Sequence, residues 1–158
     1  MTMHTAFQIV IDSLHLIAAV IIVGGWFAGY VTMRAMASQY DEPSVSRLWQ
    51  VLLGTFFPWV WIAILVQVVT GYALLFSAYD SLAAVPLNIS LMQAIGWVTI
   101  ALFVWMFFKP WREFNYNINV QNLPAAAANL NRIRKIILAS LLLGLILVVI
   151  GTTGPYWQ

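Results

Sequence analysis

Four apolar stretches decide what this chain can fold into. They run from about Phe7 to Met33, from about Leu48 to Phe76, from about Ile89 to Phe108, and over residues 132–153, where the apolar run Ile136 to Ile150 is extended by Gly151, Thr152 and Thr153. About 20 such residues cross the hydrocarbon of a bilayer as a helix. Backbone polar groups in lipid need partners within the chain, so each stretch reads as a helix, including β-branched Ile146 to Ile150. The expected fold is an all-α integral membrane protein: one domain of 158 residues, a four-transmembrane-helix bundle in contact with the lipid bilayer. Composition agrees, with 63% hydrophobic and 8% charged residues. Soluble domains carry about 25% charged residues. Seven cations and five acids cannot clothe this chain in water, which excludes an ordinary soluble domain, a disordered tail and a nucleic-acid partner. Without cysteine there are no disulfides, thiolate catalysis or CxxC chemistry.

The cations set an expected orientation. Arg34 and Arg47 flank the connection between spans one and two. Lys109, Arg112, Arg132, Arg134 and Lys135 flank the connection between spans three and four. Cytoplasmic loops are enriched in Lys and Arg. Both termini and the connection Ser77 to Asn88 are therefore expected outside, on the periplasmic side of a bacterial inner membrane. The first span is expected to be retained rather than cleaved, because no cation precedes Arg34 and its apolar run exceeds that of a signal peptide.

Punctuation along the chain predicts where helices start and bend. Asp41-Glu42-Pro43-Ser44 reads as a turn with Ser44 as N-cap of the second helix. Asn122-Leu123-Pro124 reads as a break before a long fourth helix, with Asn115 to Asn122 near the turn. Pro86 and Asn88 start the third helix. Pro58 predicts a kink near Thr55 to Pro58, either passive or serving as a hinge or the wall of a cavity. Gly25 and Gly29, extended by Gly24 and Ala28, form a GxxxG pattern, and Ser140 and Gly144 share its spacing. Small residues let helices approach closely in lipid, within the chain or in a homodimer. Tyr79 and Trp157 at one end, and Trp49 and Trp111 at the other, read as interfacial belts.

Ionisable residues inside a span are functional candidates. Asp12 and His15 are three residues apart in the first span and share a face. His15 lies about 12 Å below Phe7 on a helix. Gln67 and Tyr72, Met92 and Gln93, and Thr152, Thr153 and Tyr156 fall at similar depth in the other spans. A periplasm-facing site centred on His15 follows, since neutral imidazole ligates copper, zinc and haem iron. Asp12 then orients the ring or accepts a proton, although a helix N-terminus alone also suits it. The plain alternative is a histidine held by Gln67, Gln93 or a backbone carbonyl. His4 and His15 are about 16 Å apart on a helix, too far to share one haem, whereas a His15/Met92 pair suits a b-type haem. Met1, Met3 and His4 form a small soft-ligand group at the N-terminus. No catalytic residue stands out: phosphate loop, HExxH and paired intramembrane carboxylates are all missing.

The stretch Leu14-His15-Leu16-Ile17-Ala18-Ala19-Val20-Ile21-Ile22-Val23-Gly24-Gly25 resembles the first helix of CopD-like membrane proteins. Pro58 with Thr70-Gly71, and the basic start of the fourth helix (Arg132, Arg134, Lys135) with Gly144, are similar to that family too. Trp26-Phe27-Ala28-Gly29 resembles a segment of HemJ-type protoporphyrinogen oxidases. The resemblance implies a small four-helix membrane protein tied to copper handling or haem chemistry, with His15 at its site. In the third helix, where CopD-like domains often carry a further His, this chain has Gln93. An accessory subunit of a larger membrane complex is therefore the competing expectation, and a haem-dependent oxidoreductase a third.

Overall fold

The computed structural model describes residues 3–37, 42–79 and 84–157. The side chains of Met1, Met3 and His4, and the turn residue Asp41, lie outside the described residues. Helix α1 spans Met3–Ala37, α2 Glu42–Ala78, α3 Leu87–Phe108, α4 Pro110–Asn119 and α5 Leu123–Thr153, followed by a 3-10 turn at Gly154–Tyr156. Among the described residues there is no strand. Four helices are long and apolar enough to cross a membrane. The chain is an all-α, four-span multi-pass membrane protein.

Local chemistry explains most boundaries. Helix α2 begins at Glu42, so Ser44 lies inside the helix and is not its cap. Pro43 is tolerated in that first turn, where its missing N–H has no helical partner to lose. Lys109, preceding Pro110, leaves helical geometry (φ −118°, ψ −79°), which separates α3 from α4. The stretch from Asn115 is helical as far as Asn119 and turns only afterwards, through Gln121 in left-handed backbone (φ 57°). The Asn122 side chain then accepts the Ala125 N–H at 3.4 Å and caps α5. Helix α2 runs unbroken through Pro58.

Packing is uneven around the bundle. Helix α1 packs against α2 and α5, and α3 against α5, whereas the backbones of α2 and α3 scarcely approach each other. Large rings fill that gap at the cation-bearing end. Trp26 meets Phe56, Phe57 and Phe103 at centroid distances of 5.3, 6.4 and 6.1 Å. Phe57 also meets Phe103, Phe107 and Trp111, and Trp61 meets Phe103 and Phe107, mostly edge to face. Edge-to-face pairing is the arrangement ring quadrupoles favour. Trp49 is 1% exposed within this core, and Trp111 is half-buried against Phe57. Trp49 is not an interfacial belt residue, because it is buried in this core; α4, which carries Trp111, folds back on α5, and its Phe114 is fully buried.

The small residues differ in use. The Phe56 ring lies where a Gly25 Cβ would be, and a Gly144 Cβ would stand 2.9 Å from Val23 Cγ2. Both glycines thus serve contacts within the chain, α1 to α2 and α5 to α1. Buried Ser140 lies on the same α5 face, its hydroxyl without a hydrogen-bond partner. A Cβ at Gly29 or Gly24 would meet nothing within 4 Å, so close packing within the chain does not call for a glycine at either position.

Candidate ligand-binding cleft

At the cation-free end the gap between α2 and α3 stays open. It forms a cleft of about 660 Å³ lined by α1, α2, α3 and α5, within the size range of small-molecule sites. Trp26, Val60 and Phe103 of the aromatic core form its floor. Its walls are mostly aliphatic and its polar groups few. Asp12, His15, Gln67, Tyr72, Met92, Gln93 and Thr152 all line it, so the folded chain brings together most of the residues singled out at similar depth; Thr153 and Tyr156 do not line it.

His15 is the best-connected of them. Its Nδ1 lies 2.8 Å from Thr70 Oγ1 and its Nε2 2.8 Å from Gln67 Nε2. The Thr70 hydroxyl donates to the Val66 carbonyl at 2.6 Å, one helical turn back. With that proton committed, Thr70 Oγ1 can only accept, so Nδ1 carries the ring proton. Nε2 is then the bare nitrogen and accepts from the Gln67 amide. This is the tautomer a metal-binding imidazole needs, with its far N–H held by a neighbour. Gly71 makes room for the ring: a Cβ there would stand 3.2 Å from His15 Cε1. The Gln67 Oε1 is buried without a donor.

The partners of the ring are therefore Gln67 and Thr70, not Gln93 or Asp12. Asp12 is exposed at the cleft mouth and does not orient the imidazole, because both ring nitrogens point to α2. Tyr72 accepts the Trp97 indole N–H at 3.3 Å and stacks on Phe76, linking α2 to α3 across the mouth. Met92 is half-buried against α5; a Gly151 Cβ would stand 3.3 Å from its Cε. Half-buried Gln93 lines the α3 wall. Sequence reasoning missed the roles of Thr70, Gly71 and Trp97. Thr70 had a signal, since it follows Gln67 by three residues and so shares its face.

Fold and site together define a class: a small helical membrane bundle with an apolar cleft entered from one end and a single imidazole in its wall. Comparison with known proteins finds no matching family model, no similar curated protein and no similar solved structure.

Proposed function

We propose that the protein binds a bulky, largely apolar ligand in this cleft, with b-type haem as the member of that class that uses the imidazole. The carrying observation is the pair of contacts on the His15 ring: Nδ1 lies against Thr70 Oγ1, whose own proton goes to Val66, and Nε2 against the Gln67 amide nitrogen, which argues for Nε2 as the bare nitrogen. The fit to haem rests on cleft volume, apolar walls, that nitrogen, and the Met92 thioether on another wall. His/Met ligation of haem is chemically ordinary and supplies one-electron chemistry. The chain's own part is to hold the ring through Thr70 and Gly71, to release Nε2 by swinging Gln67 aside, and to exclude water with the aromatic floor. No Lys or Arg lines the cleft, so the acidic groups of a haem would face solvent at the mouth beside Trp97, Tyr72 and Thr152. Copper fits less well. Among the described residues no three His, Asp or Glu side chains come together, leaving one imidazole and one thioether. Catalysis is not required by this reading.

The proposed setting is a bacterial inner membrane with the cleft opening to the periplasm, supported by the placement of all seven cations at the other end. The absorption spectrum of protein purified from membranes, before and after addition of haemin, tests the reading. A Soret band lost in His15→Ala supports it; a protein that stays colourless after haemin overturns haem as the ligand. One observation favours a second reading, an accessory subunit or homodimer: the α1 surface at Gly24 has open space for a neighbouring helix. Co-purification of a larger complex without any ligand would support that reading.

A further inference from the structure

A second pocket, of about 340 Å³, lies at the opposite end of the bundle, between the last turns of α1, the first turns of α2 and the third to fifth turns of α5. Arg34, Arg134 and Lys135 line it together. Among the described residues no acid pairs with any of the three; the ion pair there is Arg132 with Glu113, at 3.9 Å. Converging cations repel one another and attract an anion.

The second observation comes from the neutral lining. Trp49 is 1% exposed, lines this pocket, and its indole N–H is cut off from solvent without an acceptor. The Arg134 Nε is buried and unpartnered in the same way, with its guanidinium 5.4 Å above the Trp49 ring. Buried donors are normally satisfied, and each exception asks for an explanation. The two donors without a partner thus belong to side chains that line the same pocket as the three cations. The Tyr30 hydroxyl accepts from Arg34 at 3.0 Å, which holds that guanidinium at the rim.

We propose that this pocket holds a phosphate-type anion, presented by the head group of an anionic phospholipid. Arginine forks and an indole N–H match phosphate oxygens as donors. The pocket lies where apolar spans give way to cations, the depth at which lipid phosphates sit. Partly exposed Leu138, also in its lining, continues the pocket towards the apolar span, where acyl chains would lie. The proposal is independent of the His15 cleft and of any ligand there.

Native mass spectrometry of the full chain in a zwitterionic detergent tests it, with phosphatidylglycerol, phosphatidylcholine of the same acyl chains, and inorganic phosphate each added alone. The expected result is a preference for phosphatidylglycerol over phosphatidylcholine on the order of tenfold. It should be lost in the double variant Arg34→Gln, Lys135→Gln, whose substituted side chains are exposed and leave the core intact. Trp49→Phe removes the N–H together with the five-membered part of the buried indole; at some cost in thermal stability, it should weaken retention of phosphatidylglycerol severalfold and leave that of phosphatidylcholine unchanged. Retention of inorganic phosphate with equal retention of the two lipids, sensitive to the same variants, would keep the anion site and overturn lipid as its source. Equal retention of both lipids without phosphate binding, or a preference unmoved by the variants, would overturn the proposal.

Discussion

The two ends of this bundle use the same four helices in opposite ways. At the cation-bearing end the space between α2 and α3 is closed by Trp26, Phe57, Trp61, Phe103 and Phe107, and α4 seals the base. At the other end the same space is left open and lined with aliphatic side chains around one imidazole. In lipid the hydrophobic effect hardly drives helices together, so association rests on packing and on polar contacts. Rings supply the packing at one end. Hydrogen bonds from α1 and α3 to α2, at His15 and at Trp97, hold the other. The lesson is a division of labour in the space between α2 and α3: it is packed with rings at one end, which stabilises the bundle, and kept open at the other, where a ligand can enter.

That contrast can be broken most directly at Trp26. Trp26→Ala removes a ring 1% exposed that touches three others, and should cost about 3–5 kcal/mol. Thermal unfolding in detergent reads this. A cleft-wall change such as Leu16→Ala, at a side chain already 65% exposed, should cost far less, and equal losses would show that the two ends are not different. Next comes the histidine network. Thr70→Val leaves His15 Nδ1–H without its acceptor, a loss of about 1–3 kcal/mol, with the imidazole tautomer shifting in nitrogen NMR. An unchanged tautomer would mean that Thr70 does not set it. Gly71→Ala is smaller, about 1 kcal/mol, since the new Cβ at 3.2 Å pushes the ring by a few tenths of an ångström. It sharpens the comparison by disturbing the cleft without touching the aromatic end. The smallest effect belongs to Glu113→Gln. Its ion pair with Arg132 is long and solvent-exposed, so the change should stay within about 0.5 kcal/mol.

Much of the architecture is readable from the residues alone, and particular failures show where such reading stops. The four spans, the break at Asn122 and the polar groups at shared depth all follow from local composition. The place of Trp49 does not: a tryptophan near a span end reads as a belt residue until the packed helices are seen to bury it. Asp12 looks like the natural partner of His15, three residues away, yet the ring turns to α2. Gly25 and Gly29 make one pattern on paper, and in the fold only Gly25 meets a neighbouring ring.

Length and apolarity are properties of a segment, so they declare the solvent, the helical state and the number of spans before any folding is considered. Which side chains meet is not such a property. Spans that are apolar on every side carry little periodic signal to mark their inward face, so the contacts of His15 with Gln67 and Thr70, 52 and 55 residues away, were settled only when the helices packed. The open cleft, too, exists because α2 and α3 stand apart at one end, and no stretch of either helix records that distance.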